Sequence, residues 1–182
     1  MKISTKTGVV ISAIVLAALS RLIPHPMNFT PIAAIAMFGA AYLERKSIAF
    51  IIPILSIYLS NLVIDNVMYQ HDSFVWMAPS FPWVAGSLVL ISLMSQFTLN
   101  KVSAGRVLGS SLAASVIFFI ISNFGMWQGS GIYSHDMTGL VMCYNAAIPF
   151  FGWTVAGDLV YTTAMFGGFA LMQSRLPRLA AA

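Results

Sequence analysis

The sequence predicts an all-α integral membrane protein, a single bundle of six transmembrane helices that occupies residues 1–182. The first observation behind this prediction is composition: 59% of the residues are hydrophobic, 8% are charged and the mean hydropathy is +0.86. Soluble domains carry about a quarter charged residues, and the polar sequence left here is too short to cover a soluble core. The second observation is that apolar runs alternate with loops of contrasting charge, as in a chain that crosses a membrane repeatedly.

Transmembrane helices need about 17 to 25 mostly apolar residues. Six runs approach or reach this length, at 8–23, 31–43, 48–64, 82–99, 106–127 and 150–172. The second run is short, so it is predicted either to tilt beneath the others or to be completed by residues 27–30 in non-helical form. The apolar piece 138–148 is too short to cross and ends before Pro149, which predicts a re-entrant or interfacial helix before the last span.

The basic residues predict the orientation of the spans. They fall at the amino end, in alternate loops and at the carboxyl end, as Lys2, Lys6, Arg45, Lys46, Lys101, Arg106, Arg175 and Arg178. By the positive-inside rule these groups share the cytoplasmic side of the membrane, which places both termini in the cytoplasm. The opposite loops hold one cation, Arg21, together with His25, Asp65, His71, Asp72, His135 and Asp136. The basic residues are too scattered for a nucleic-acid partner, so membrane lipid is the predicted surrounding.

The stretch RLIPHPMNFTPIAAIAMFGAAY, residues 21–42, interrupts the apolar pattern near its start. Pro24, Pro26 and Pro31 each restrict their own backbone and that of the preceding residue, so residues 22–30 cannot form one regular helix. Irregular backbone at membrane depth is tolerated only where protein covers it or it lines a water-filled cavity. The segment is therefore the first indication of a binding site.

Polar residues elsewhere are predicted to gather at the same side of the membrane. Asn61 and Asp65 are spaced i, i+4 and share one helix face, as do Asn123 and Trp127, whereas Asp158 lies about two turns into the last span, where a carboxylate is costly. The residues predicted to line one outward-facing ligand cavity are His25, Asn28, Asn61, Asp65, Asn123, Tyr144, Asn145 and Asp158.

Each of these residues also has a structural interpretation. Asp65 could be a solvated helix-end residue, and His25 a helix-terminus residue. Asn61 and Asn123 could form hydrogen bonds between helices, and Asp158 could pair with Arg21 as a structural ion pair. The sequence alone leaves both interpretations open.

The sequence contains no H-E-x-x-H, G-x-S-x-G, Walker A or di-carboxylate motif, so no catalytic residue is assigned and the chain is not predicted to be an enzyme. The single cysteine, Cys143, excludes an internal disulfide and a multi-cysteine metal site. No intrinsic cofactor or metal is predicted. A weaker alternative is an intramembrane enzyme that uses His25 with Asp65 or Asp158 as an acid–base pair.

Small residues make one stripe of the second span nearly flat, with Ala36 and Ala40 in small-xxx-small spacing and Ala33 one turn before them. One interpretation is tight packing inside the protein. The other is a smooth surface on which a helix of another membrane protein docks, and Ala33, Ala36 and Ala40 are the predicted interface residues.

The segments N-F-T-P-I-A-A-I-A-M-F-G-A-A, P-H-P-M-N-F-T-P and S-N-L-V-I-D resemble the substrate-binding S components of energy-coupling-factor vitamin transporters. The resemblance is closest to solitary cobalamin-type S components and related uncharacterised bacterial membrane proteins, and it is specific over residues 21–65. It implies a six-helix S-component bundle whose ligand enters from outside, with alanine-rich helices that dock on a coupling transmembrane subunit and separate ATPases that hydrolyse ATP.

Within this resemblance, His25 matches the histidine of the proline-rich turn and Asp65 the acidic residue that ends the third span. The chain departs from solitary cobalamin S components at 78–83, where the cysteine that ligates cobalt is missing; His71 is the candidate substitute ligand. The resemblance predicts a substrate-binding subunit for uptake of a vitamin-like molecule, with cobalamin or another corrinoid as candidate bound vitamin. The alternative is a structural or assembly subunit of a larger membrane complex.

Overall fold

The computed structural model describes residues 4–69, 73–176 and 179, and its regular secondary structure within these ranges is entirely helical. Six helices follow one another along the chain: α1 (Thr5–Ser20), α2 (Ile32–Tyr42), α3 (Lys46–Met68), α4 (Phe81–Thr98), α5 (Ala104–Gly129) and α6 (Met137–Arg175). α3 ends in a π-helical turn, Ile64–Met68, and α6 contains a second one, Thr163–Gly167.

Four of the six helices, α3 to α6, are long and apolar enough to cross a membrane. This confirms the predicted all-α class, and the length and composition of the four helices support the predicted membrane location. α1 has 16 residues and α2 has 11, which at 1.5 Å per residue gives lengths of about 24 and 17 Å. Both are therefore shorter than the hydrocarbon core of a bilayer, about 30 Å thick.

α2 lies at the centre of the bundle and contacts each of the other five helices. All its residues from Ile32 to Gly39 are buried. Small side chains allow this close packing: a Cβ added at Gly39 would lie 3.1 Å from the ring of Pro53 and 3.3 Å from the carbonyl oxygen of Ala49, both on α3. The short second apolar run is thus surrounded by protein, which removes its need to match the membrane thickness.

α6 corrects the prediction of a separate re-entrant or interfacial helix at 138–148. The helix continues without a break from Met137 through Pro149 to Arg175, over 39 residues. Proline lacks the N–H that would bond to the carbonyl four residues earlier, here that of Asn145. The single lost bond does not end the helix, since the rest of the helix and its packing against α5 remain, and membrane helices tolerate such prolines.

The chain alternates between two ends of the bundle. The basal end carries the exposed residues Glu44, Arg45, Lys46, Lys101, Arg106 and Arg175. Here the hydroxyl of Ser110 on α5 donates to Thr98 Oγ1 on α4 at 2.7 Å, and Arg106 donates to Asn100 Oδ1 at 2.6 Å. The opposite end, called the loop end, consists of residues 21–31, 73–80 and 130–136.

The proline-containing segment is non-helical at 21–31, as the sequence predicts. It passes directly over α6, where a Cβ added at Gly157 would lie 2.8 Å from the backbone nitrogen of Thr30 and 3.1 Å from Phe29 Cα. A glycine on α6 therefore permits the segment to sit against the helix backbone, and the phenyl ring of Phe29 packs against Tyr161 with ring centroids 5.8 Å apart.

Candidate functional site

A cavity of about 360 Å³ opens at the loop end between the proline-containing segment and the end of α3. We call it the loop cavity; it is lined by Arg21, Ile23, Pro24, His25, Met27, Asn28, Thr30, Ile64, Met68 and Tyr69. The prolines hold the segment away from helical geometry, and the side chains that they separate form one wall of the cavity. The predicted site residues His25 and Asn28 both lie here.

A second cavity, of about 260 Å³, lies between this segment and helices α4, α5 and α6. We call it the asparagine cavity; its lining is Asn28, Ser80, Val84, Phe118, Phe119, Ser122, Asn123, Met126 and Thr154. The predicted residue Asn123 lines it, and Asn28 lines both cavities. The structure thus brings His25, Asn28 and Asn123 to two adjoining cavities.

Asn28 has a backbone φ of +64°, the left-handed conformation. Asparagine adopts this conformation more readily than most residues other than glycine, because its short polar side chain can bond locally. Its position lets the chain turn between Pro26 and Pro31 and leaves the Asn28 side chain exposed. The residue that separates the two cavities is therefore also the one that sets the course of the segment.

His25 is oriented by its own loop. Nδ1 lies 2.8 Å from the carbonyl oxygen of Pro26. A carbonyl only accepts, so Nδ1 carries the hydrogen, and in the neutral ring Nε2 remains as an acceptor. The ring can therefore accept a hydrogen bond from a ligand in the loop cavity.

Arg21 adds a cation to the wall of the loop cavity. Its Nη1 donates to Ser60 Oγ on α3 at 2.5 Å, and the guanidinium interacts electrostatically with Asp65 and Tyr69. Nε is buried without a hydrogen-bond partner among the described residues. Its charge partner is Asp65 and not Asp158, so the ion pair with Asp158 that the sequence left open is not formed.

Asp158 lies away from both cavities, buried on α6 with 2% of its surface exposed. Ser115 Oγ of α5 is 2.6 Å from its Oδ2, and the backbone N–H of Ala33 donates to the carboxyl. Ala33 belongs to the first turn of α2, whose preceding residue Pro31 provides no side-chain cap. Since the first N–H groups of a helix have no partner within it, Asp158 caps α2 from another helix.

The other predicted site residues do not line these cavities. Asn61 and Asp65 are half-buried on α3, and Asp65 acts on Arg21 from outside the cavity lining. The hydroxyl of Tyr144 donates to the Ile120 carbonyl at 2.6 Å, and Asn145 is exposed on α6.

Three hydroxyl residues of the asparagine cavity, Ser80, Ser122 and Thr154, were absent from the predicted set. A sequence signal did exist for Thr154, because it lies one turn before Asp158 and so on the same helix face. Ser122 directly precedes Asn123 and donates to the Phe118 carbonyl at 2.6 Å. Small hydroxyl residues are common within membrane helices, and this makes the signal weak.

The predicted partner interface is largely internal. Ala33 and Ala36 are 1% and 0% exposed because the protein's own helices cover them, and Ala40 alone of the three is half-exposed. The first two alanines therefore pack within the bundle and present no surface to a docking helix.

Asp136 organises the loop end before α6. Its Oδ1 accepts from the Gly139 backbone N–H at 2.7 Å and from Ser134 Oγ at 2.9 Å. These hydrogen bonds hold the pKa of the Asp136 carboxyl below its ordinary value, and the bond from Gly139 has the larger effect. The Ser134 carbonyl in turn accepts from Trp127 Nε1 at 2.9 Å. This hydrogen bond connects the end of α5 with the residues that precede α6.

The described residues contain no group of three histidine, cysteine, aspartate or glutamate side chains that could hold a metal ion. Cys143 is buried, and its thiol donates to the Asn123 carbonyl at 3.4 Å. His71, the candidate cobalt ligand, lies outside the described residues.

No curated protein and no solved structure matches the chain. A family model matches residues 1–179, nearly all of the 182 residues. The chain therefore belongs to the family described as "Family of unknown function (DUF6580)".

Proposed function

We propose that the protein is a substrate-binding membrane subunit for uptake of a vitamin-like small molecule, similar to an S component of an energy-coupling-factor transporter. The observation that carries the proposal is the pair of cavities that adjoin at Asn28. Both open at the loop end, where the sequence predicts the outer face of the membrane. Their volumes, about 360 and 260 Å³, are near the lower limit of small-molecule sites.

The two cavities offer different chemical groups, so together they fit a ligand whose parts differ in chemistry. The loop cavity offers the Arg21 guanidinium and an imidazole acceptor on His25. The asparagine cavity offers amides and hydroxyls beside the rings of Phe118 and Phe119. Aromatic walls with a few convergent polar groups are typical of sites for small organic ligands. A ligand as large as cobalamin or another corrinoid would have to engage both cavities.

The topology that accompanies this function is a six-span bundle in a bacterial inner membrane with both termini in the cytoplasm. The collection of cations at the basal end supports this orientation. α1 and α2, too short to span alone, complete the bundle around the central helix. The ligand then reaches the cavities from outside the cell.

Transport requires the cavities to close on one side and open on the other. Since a ligand shifts a conformational equilibrium only by its different affinities for the two states, a coupling transmembrane subunit with ATPases would supply the driving energy. The half-exposed Ala40 and the lipid-facing surfaces of the long helices are the available contact regions for that subunit.

Native mass spectrometry of the detergent-purified protein from its own host tests the proposal. We expect a bound small-molecule mass on the wild type. Asn123→Ala should lose the adduct because Asn123 lines the asparagine cavity, whereas Asn145→Ala should retain it, since Asn145 lies outside both cavities. Absence of any adduct on the wild type, or equal loss in both variants, would contradict the site.

A further inference from the structure

The interface between α5 and α6 holds Asp158 between two cavities. The asparagine cavity reaches Thr154 toward the loop end. Toward the basal end lies a third cavity, of about 380 Å³, whose lining includes Ser111 and Thr162; we call it the basal cavity. Residues 154, 158 and 162 share one face of α6 and are about 6 Å apart along its axis. One helical turn therefore separates the carboxyl from each cavity.

The hydroxyl of Ser115 connects the carboxyl to α5. Ser115 Oγ is 2.6 Å from Asp158 Oδ2 and 3.1 Å from the Ser111 carbonyl oxygen. A hydroxyl has one hydrogen to donate, while a carbonyl and an ionised carboxylate only accept. If Asp158 is protonated, it donates to Ser115, which donates to the Ser111 carbonyl; if it is ionised, Ser115 donates to the carboxylate. The same geometry therefore serves both protonation states.

The hydroxyls continue toward the basal cavity. Ser111 Oγ lies 3.4 Å from Thr162 Oγ1, and both residues line that cavity. On the other side of Asp158, Thr154 is a lining residue of the asparagine cavity. Polar groups thus extend from the carboxyl toward both ends of the bundle.

The groups that face Asp158 are uncharged. They are Ser115 on α5 and the Ala33 N–H on α2, and Thr154 and Thr162 lie one turn away on the same face of α6; no charged side chain among the described residues acts on the carboxyl. A carboxylate within a membrane bundle is costly unless it is paired. Binding a proton removes that cost, so the site is suited to proton uptake and release.

We propose that Asp158 is a proton-binding site that exchanges protons with the cavities at both ends of the bundle. A proton enters through water in one cavity, forms the O–H bond of the carboxyl, and leaves to water in the other cavity when that bond breaks. Because the carboxyl also accepts from the Ala33 N–H, its protonation weakens the bond that holds the start of α2 and the adjoining segment 21–31. Proton binding is thereby linked to the walls of the two cavities at the loop end.

Labelling with dicyclohexylcarbodiimide, which reacts with protonated carboxyl groups in apolar surroundings, tests the site directly. We expect an adduct on Asp158 of the detergent-purified protein, located by peptide mass spectrometry. Labelling should fall about tenfold per pH unit once the carboxyl is ionised. The exposed Asp136 serves as an internal reference that stays unlabelled. If Asp158 stays unlabelled at every pH at which the protein is folded, the proposal is overturned.

Proton movement is measured in proteoliposomes that contain a pH-sensitive dye, with a potassium diffusion potential as the driving force. We expect wild-type vesicles to acidify and Asp158→Asn vesicles to match protein-free vesicles. Asparagine keeps the volume and an acceptor for the Ala33 N–H but releases no proton. Ser115→Ala should slow the flux several-fold while labelling of Asp158 remains, and Gly152→Ala, which meets open space, should behave as wild type. Equal proton fluxes in wild type and Asp158→Asn would show that Asp158 caps α2 but does not carry protons.

Discussion

The two ends of α2 are held by opposite kinds of interaction. At its start, the Ala33 N–H reaches Asp158 on α6 and the preceding backbone rests on Gly157. At its end, Phe38 and Tyr42 pack edge-on or tilted against Phe166 and Phe169, with ring centroids 4.5 to 5.6 Å apart. Polar contacts thus fix the end near the cavities, while aromatic packing fixes the basal end.

Phe38→Ala removes aromatic packing at the end of α2, and among the variants it should cause the largest loss of stability. The side chain is fully buried, and truncating such a phenylalanine costs about 3–5 kcal/mol because it removes contacts and leaves a cavity. Denaturant unfolding in detergent measures the loss. Phe97→Ala is the control, since Phe97 is 77% exposed and should change stability by less than about 0.5 kcal/mol. Similar losses in both variants would show that the aromatic cluster does not anchor α2.

Asp158→Ala addresses the polar end. It leaves the Ala33 N–H without its acceptor, whereas the Ser115 hydroxyl can still donate to the Ser111 carbonyl, and a buried unsatisfied group costs about 1–3 kcal/mol. Asp158→Asn should lose less, because the amide oxygen still accepts from Ala33. The same unfolding measurement compares the two variants. A loss from Asp158→Ala as large as that from Phe38→Ala would contradict the ranking of the two ends.

Gly157→Ala separates backbone contact from hydrogen bonding at the same end. The added Cβ would lie 2.8 Å from the Thr30 nitrogen, so segment 21–31 must move, at a cost of about 1–3 kcal/mol. Gly152→Ala is the matched control on the same helix, where open space should let alanine stabilise by up to about 1 kcal/mol. Thermal unfolding should show a lower stability for Gly157→Ala and an equal or higher stability for Gly152→Ala. Native mass spectrometry then shows, by whether the small-molecule adduct is retained, if the cavities are disturbed.

Asp136 caps α6, the helix that directly follows it in the chain, whereas Asp158 acts on α2 from another helix. Replacing Asp136 should therefore change the stability least. Hydrogen bonds from Gly139 and Ser134 lower the pKa of Asp136 in the folded protein. Its contribution is therefore complete above the ordinary aspartate value of about 3.9 and is lost as the pH falls through the lower folded value. The stability difference between wild type and Asp136→Ala should be constant from neutral pH to about 5 and shrink below about 4. A difference that grows on acidification would contradict this assignment.

Much of the architecture follows from sequence alone. Six apolar runs become six helices, and the prolines at 24, 26 and 31 indicate where the chain leaves helical geometry and where His25 and Asn28 meet a cavity. The continuity of α6 through Pro149 was not predictable, because the local pattern does not show whether packing outweighs one missing hydrogen bond. The roles of Asp158 and Ala36 depend on how α2 sits among five neighbours, and residue spacing contains no information about that arrangement.

The capping of α2 by Asp158 also has a consequence for biosynthesis. A helix of 11 residues cannot remain stably in lipid by itself, and the carboxyl that accepts from its first turn belongs to α6, which the ribosome produces after α2 to α5. Until α6 has entered the membrane, the Ala33 N–H lacks this acceptor and the centre of the bundle lacks one wall. The contacts at the start of α2 are therefore completed only after α6 has been made, and a nascent chain that stops before α6 leaves the first turn of α2 without this acceptor.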